Sequence, residues 1–520
     1  MSTRLSESGL WEKQRALYHE SGVKAWNTDT VPHYVTNNPI IGAAYADVFV
    51  GHLEDLAREG ALDPDQPVCI VEMGGGSGRL AFYILRRLDQ LRQTLKFDLR
   101  YVLTDFTTTN LETWAAHPRL AGYLRSGLLD LALFNVETDQ ELVLQNSGLR
   151  LDGSGNPVCC IANYVFDSIS ADCFRVDKGV LEEALVTVGS DAENGTTLEY
   201  SYRTCEAAPY ENPAYNAVLQ EYKNTLGDTH FLFPTGPLRC LENLLKLGGG
   251  RVCLLAADKG QSSWDDLIGI DPPHPVTHGT DFFSLTVNFH AMEKYWRGLG
   301  GHVQYTSLRD DVLDICCFSI GLPEEALQRT TREFRDKLDR FGPLDYLNLR
   351  TALLEGTFPP ARHFRFCIEM LRLSQWDPEI LYELSESLMT SSEDLNPNEK
   401  RELAIALNRS WDNYFPIGES RDLPFELARL FFRLEHYERA RQFYQESIRL
   451  FGEHKMTYHN MGMCCHRLRQ LDEAATCFEE ALKLDPGHGP SRDWLLRLDW
   501  EKLPRLVPDS AGNTQIQTQP

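Results

Sequence analysis

The chain has 520 residues, 42% of them hydrophobic and 24% charged, with a formal net charge of −24. At roughly 100–200 residues per domain this length exceeds one ordinary core and predicts two to four domains. So acidic a balance argues against a nucleic-acid partner, whose phosphates need basic surface, and no run reaches the about 18 apolar residues of a membrane span. The polar stretch Met1 to Leu17 has no signal-type apolar segment. The thirteen cysteines lack a framework spacing. The adjacent pairs Cys159-Cys160 and Cys464-Cys465 read as buried, reduced thiols, so a cytoplasmic location is expected.

Residues 1–66 read as a helical lead-in. Leu10, Trp11, Leu17, Tyr18, Val23 and Trp26 are spaced as one apolar face, a polar turn covers 31–39, and a helix is predicted from about Ile41 to Arg58. From Pro67 strand and helix alternate. Val68 to Val71 is a short apolar run ending in glycines, and Leu80, Ile84, Leu88 and Leu91 then repeat at helical period. Leu99–Leu103, Leu128–Phe134 and Val158–Ala162 read as further strands, with a helix around Asn110 to Trp114. Residues 180–240 are aromatic-rich and read as an insertion or lid, more as core than as a substrate cage. Arg251–Ala257 and His302–Ile320 complete the strand set. Such alternation implies a parallel sheet wrapped by helices, with its ligand crevice beyond the carboxyl ends of the strands.

The chemistry-bearing motif is Val71-Glu72-Met73-Gly74-Gly75-Gly76-Ser77-Gly78-Arg79. Glycines at 74, 76 and 78 directly after a strand let the backbone turn sharply and approach a ligand. A dinucleotide fingerprint needs a small residue three positions beyond Gly76, where Arg79 stands, and no Gly-Lys-Ser/Thr follows, so NAD, FAD and a P-loop are disfavoured. An acid followed by Gly-x-Gly-x-Gly is the pattern of S-adenosylmethionine (SAM) binding. Asp105 ends the second strand, placed to accept both ribose hydroxyls, and Asn135 and Glu137 follow the third, where the adenine edge lies. Glu72, Gly74, Gly76, Gly78, Asp105 and Asn135 are therefore the candidate cofactor contacts. For Asp105 a helix cap is the bland alternative.

With these residues in place, Ile161-Ala162-Asn163-Tyr164-Val165-Phe166-Asp167-Ser168-Ile169 resembles the motif after strand four of the MidA-like methyltransferases, the family of a mitochondrial complex I assembly factor that methylates an arginine. The block 281–289 with Gly300-Gly301, and the acid-containing turn Ala256 to Gly260, resemble later parts of that family, so the similarity runs over roughly 30–320. It implies a Rossmann-like class I sheet with helices on both faces, SAM as cofactor, and Asn163 and Asp167 lining the methyl-transfer site. An amide such as Asn163 can orient a nucleophile and Asp167 can offset developing charge. A helix cap and a solvated first-turn acid are the bland readings of these two. The family commonly has an acid after the asparagine. Here Tyr164 stands there, removing one half of a two-carboxylate clamp for a guanidinium. His33 and Tyr34 are candidates to close over the cofactor, or ordinary packing.

From about 325 the pattern turns helical. Leu427, Ala428, Phe431, Ala440, Tyr444 and Ser447 recur as Met461, Gly462, Cys465, Ala474, Phe478 and Ala481, at a period of about 34 residues, and Pro486 closes the second pair. This small/large alternation is tetratricopeptide-like, and degenerate units are expected over 340–420. The string from His459 to His466 suggests a metal, but Gly462 and Cys465 are already accounted for as repeat core, so none is expected. The predicted layout is a lead-in over 1–66, a methyltransferase domain over 67–322, an all-α repeat solenoid over 323–505 and a disordered tail over 506–520. The leading function is SAM-dependent methylation of a protein side chain, arginine favoured by the resemblance, with the repeats recruiting a protein partner. The alternatives are a catalytically inactive interaction or assembly factor on the same fold and a small-molecule methyltransferase.

Overall fold

The computed structural model describes residues 2–26, 34–191, 195–278, 282–307, 313–355, 363–393, 395–502, 506–508 and 514–516. Its first compact unit, Met1–Glu355, is organised by a seven-stranded sheet. In chain order the strands are β1 (Val68–Met73), β2 (Leu99–Asp105), β3 (Leu129–Leu133), β4 (Val158–Asn163), β5 (Val252–Asp258), β6 (His302–Tyr305) and β7 (Asp314–Ile320). Across the sheet they run β6-β7-β5-β4-β1-β2-β3. The five strands from β5 to β3 are parallel, while β7 lies antiparallel to both β5 and β6. The expectation of a parallel sheet therefore holds for the centre, and β7 departs from it because only residues 306–313 separate it from β6, too few for a helical crossover. All six residues of β1 are buried, as a strand covered on both faces requires.

The order reverses between β1 and β4, which opens a crevice beyond their carboxyl ends. Helices α1 (Leu10–Ser21), α2 (Pro39–Arg58), α3 (Arg79–Leu91) and α4 (Thr108–Ala116) lie nearby in the chain. Helix α2 starts cleanly because Asn38 accepts the N–H groups of Ile40 and Ile41 at 3.1 Å and proline occupies its first turn.

The aromatic-rich stretch is structural. Val180–Asp191 and Gly195–Thr204 pair as a long hairpin in a second, antiparallel sheet with Asp172–Asp177, Thr229–Phe233 and Thr3–Arg4. Phe174, Tyr215, Tyr222, Phe231 and Phe233 are buried in the main core.

The compact unit also runs past residue 322, the expected end of the domain. The helix Gln328–Phe334 docks on α2, where the fully buried carboxylate of Asp55 accepts the N–H of Arg329 at 3.0 Å and the N–H and hydroxyl of Thr330 at 2.8 and 2.9 Å. An anion at a helix start is favourable, and helical periodicity alone cannot tell on which body a helix packs.

The second unit, Gly356–Pro520, is helical: His363–Leu373, Pro378–Ser391, Pro397–Asn413, Leu423–Arg433, Tyr437–Phe451, Lys455–Arg467, Leu471–Leu484 and Gly489–Lys502. Gly462 lets two of these helices close. A Cβ there would lie 2.7 Å from Cε1 of Phe478. Cys465, within the supposed metal string, is 2% exposed in this repeat core. In the stretch expected to be a disordered tail, Leu506–Pro508 pairs with Thr514–Ile516. Among the described residues no helix is long and apolar enough to cross a membrane.

Candidate active site

The glycine loop leaves β1 with Gly74, Gly76 and Gly78 at φ of +61°, +52° and +79°, a region that strains any residue with a Cβ. The intervening Gly75 is needed for space, since a Cβ there would lie 2.2 Å from Cδ1 of Leu103. The loop is held by Gly75 N–H to Thr104 O at 2.9 Å, Gly78 N–H to Gly75 O at 2.8 Å and the Trp114 indole N–H to Gly76 O at 3.1 Å. Gly74 to Ser77 line a cavity of about 400 Å³ at the strand ends. Gly78 is not part of that lining. It begins α3 and packs on Trp114 beneath the loop.

Of the other expected cofactor residues, Glu72, Asp105 and Asn135 all line the cavity. Glu72 is 4% exposed, accepts the Tyr101 hydroxyl, and is pushed up to about 8 by burial, so its carboxyl is largely neutral near pH 7. Asp105 is raised by burial, although the hydrogen bonds it receives work against that rise. Its Oδ1 accepts the N–H and hydroxyl of Thr107 at 2.9 and 3.0 Å and its Oδ2 the amide of Asn110 at 2.9 Å. A carboxylate offers about four acceptor positions, so Asp105 arrives pre-oriented with little capacity left, and a bidentate grip on two hydroxyls is more than it can supply alone. Asn135 turns inward to accept the Glu137 N–H at 3.1 Å, between Phe134 and Val136 on the cavity wall.

Asn163 and Asp167 meet the same cavity from β4 and the turn after it. Helix α2 positions the former: the Tyr45 hydroxyl donates to Asn163 Oδ1 at 2.9 Å, which leaves Nδ2 buried with no hydrogen-bond partner. Tyr164 adopts φ +51°, a left-handed conformation costing about 1 kcal/mol, and is pinned by its N–H to Ala257 O at 2.9 Å. Its ring lines the cavity where the family's second acid would stand, and burial raises its phenol, with Asp258 and Asp167 adding to the rise. Asp167 is pushed up to about 6 by burial and receives the Ser168 hydroxyl at 2.8 Å.

Several positions on the cavity wall were not readable in the sequence. Asn110 and Asn37 line the cavity with Oδ1 atoms that are buried and unpartnered. Gln14, Arg15 and Tyr18 come from α1, and Gln14 clips the strand Phe282–Ser284 beside it, donating to Phe283 O at 2.7 Å. Asn110 was signalled only by standing in the first turn of the helix that follows Asp105, and the α1 residues by nothing local. Asp258 was visible as the acid of its turn. Tyr34 lies against Arg350, whose guanidinium sits 4.8 Å from its ring centre, and is not on the cavity wall. His33 and Asp281 lie outside the described residues.

The cavity suits SAM chemically. A glycine cradle that Cβ atoms would fill meets three buried amide atoms lacking partners, each costing about 1–3 kcal/mol unless a ligand satisfies it. Residues 56–246 match a family described as "Putative S-adenosyl-L-methionine-dependent methyltransferase", and residues 456–488 match the tetratricopeptide repeat. No curated protein matches the chain. Similar solved structures include a Burkholderia thailandensis protein bound to S-adenosyl-homocysteine, 14% identical over 63% of this chain and 91% of that one, with a TM-score of 0.40. An uncharacterised protein from the same organism is 13% identical over 63% and 98%, with a TM-score of 0.33. MamA from Desulfovibrio magneticus is 16% identical over 30% and 83%, with a TM-score of 0.24.

Proposed function

We propose, for a chain carrying a SAM-dependent methyltransferase segment and a tetratricopeptide repeat, that the cavity beyond β1, β2 and β4 transfers a methyl group to a nitrogen of a protein side chain, and that the repeats recruit the protein bearing it. The carrying observation is the buried, unpartnered Asn163 Nδ2 in the same cavity as Asp167. A donor stranded in a folded interior is costly and is retained where a ligand completes it. When bound, SAM supplies a methyl on a positively charged sulfur, already a good leaving group. The protein's task is then alignment. Gly74, Gly76, Asp105 and Asn135 would hold the cofactor, helped by Asn110 and Asn37, while Glu72 ties β1 to β2 through Tyr101. Asn163, set by Tyr45, orients the nucleophile and Asp167 offsets its developing charge. Arginine is the acceptor favoured by resemblance, and a cytoplasmic setting suits thirteen unpaired thiols.

Calorimetric titration of the full chain with SAM tests the pocket. Saturable binding is expected, weakened at least tenfold in Asp105→Ala. Labelled-methyl transfer into a whole-cell protein extract tests the chemistry. Asn163→Ala is expected to lower transfer by roughly 100-fold while SAM affinity stays within about threefold. Transfer that survives Asn163→Ala would remove that residue from the site, and absence of SAM binding to the unaltered chain would remove the enzyme reading.

A further inference from the structure

Asp258 ends β5 with no exposed surface. Its Oδ2 accepts the backbone N–H groups of Phe166 and Asp167 at 3.0 and 3.2 Å, and its Oδ1 accepts that of Lys259 at 3.0 Å. These bonds fold the turn after β4 over the end of β5 and bring the carboxyl of Asp167 close beside that of Asp258. Two carboxyl groups in such contact cannot both be ionised, so the pair holds a proton between them. Burial raises both, while the three backbone N–H groups that Asp258 accepts work against its rise.

The surroundings keep the pair in that state. Ser168 donates to Asp167 at 2.8 Å, and Tyr18 from α1 stands near them, its phenol raised by burial and by the charge of Asp167. Tyr164 faces both acids from the turn after β4. Cys316 and Asp314 approach from β7, Asp314 as the register partner of Asp258, and the charge of Asp105 at the end of β2 acts on Tyr18. The Lys259 side chain lines the cavity wall. Asp167 is the member of the pair that reaches the cavity, and Asp258 stands behind it.

We infer that Asp167 takes the proton released by the methyl acceptor, and that Asp258 is a positioning residue which keeps one proton in the pair so that Asp167 presents a single accepting charge to the cavity. This rests on the methyl-transfer reading given above. The acceptor's lone pair forms the bond to the methyl carbon as the carbon–sulfur bond breaks and its electrons stay on sulfur. The acceptor's N–H or O–H bond then breaks, its electrons staying on the acceptor and its proton passing to Asp167. The substrate class is therefore a nucleophile with a proton to lose, such as a guanidine, amine, amide or hydroxyl, and not a thioether or tertiary amine.

Carboxyl ¹³C NMR of the full chain labelled at aspartate, without cofactor, reads the pair directly. Asp167 is expected to titrate at about 6. In Asp258→Asn it should titrate about one unit higher, because a carboxyl donor to the Asp167 anion gives way to a weaker amide. The acidic limb of the pH profile for methyl transfer into protein extract should move by the same amount. If Asp258→Asn does not fold, Asp167→Asn supplies the converse reading, with the Asp258 signal falling as its charged neighbour is removed. Transfer in Asp167→Asn should drop roughly 100-fold or more with SAM affinity within about threefold. An Asp167 signal in the ordinary carboxylate range, a limb unmoved by Asp258→Asn, or transfer retained in Asp167→Asn would overturn the inference. Failure of the underlying reading looks different: no SAM binding to the unaltered chain, with the NMR titration intact.

Discussion

The two units of the chain treat polar groups differently. In the repeat unit the charges lie mainly at the surface as pairs such as Lys455–Asp485 and Arg421–Glu379, and helix packing is left to Leu427, Phe431, Ala440, Ala474 and Phe478. In the first unit Glu72, Asp105, Asp167 and Asp258 are buried together at strand ends, beside a strained Tyr164 and unpartnered amides. Surface pairs add little to stability and are cheap to keep. Buried acids cost free energy, so their concentration at one crevice marks where binding and chemistry are carried out.

The comparison breaks most sharply at the glycine loop. Gly76→Arg places a Cβ about 3.0 Å from the Trp26 ring at a φ of +52° and should abolish SAM binding, a loss of at least 100-fold by calorimetry, while the repeat helices keep their circular dichroism. Normal affinity in this variant would show that the loop is only a turn.

Next in size is Glu72→Gln. The folded carboxyl is raised from 4.5 to about 8, so the folded state binds the extra proton between those values and stability falls as pH rises through them. The glutamine variant should lack this loss and exceed the parent by up to ~5 kcal/mol above pH 8, with the difference vanishing near pH 4. Denaturant unfolding of both proteins across that range checks it, and parallel curves would refute it.

His52 runs with the opposite sign. Burial lowers it from 6.5 to about 4, so the unfolded chain takes up a proton first and stability present above pH 6.5 is lost as pH falls toward 4. His52→Gln should spare about 2 kcal/mol of that acid loss, read from the difference in unfolding free energy at pH 7 and pH 4.5.

The smallest effect sharpens the contrast from the other side. Gly462→Leu crowds Phe478 and should destabilise the repeat unit by about 2 kcal/mol. That loss should be the same at every pH and should leave SAM affinity unchanged. A fall in affinity would mean that the cavity depends on the repeats.

Much of the fold was legible along the chain because its signals are local. The buried runs of β1, β2, β4 and β5 and the glycines at positive φ are set by residues within a few positions of one another. The repeat was legible because one small/large pattern recurs. The helix Gln328–Phe334 was recognisable as a helix but not as part of the first unit, since its anchor, Asp55, is far away in sequence. Gly78 carried the same local signal as Gly74 and Gly76, yet Trp114 draws it under the loop rather than toward the cavity.

By itself, then, the sequence determined that a glycine loop follows a buried strand, that acids stand at the strand ends and that small residues space paired helices, because backbone sterics and hydrophobic period act over short distances. Tertiary structure alone decided that Tyr45 occupies one side of the Asn163 amide, that Asn110 and Thr107 engage most of Asp105, that α1 walls the cavity, and that Asp258 clasps the turn carrying Asp167. Each of those depends on groups distant in the chain meeting in a low-dielectric interior, where contact, not composition, sets charge and hydrogen bonding.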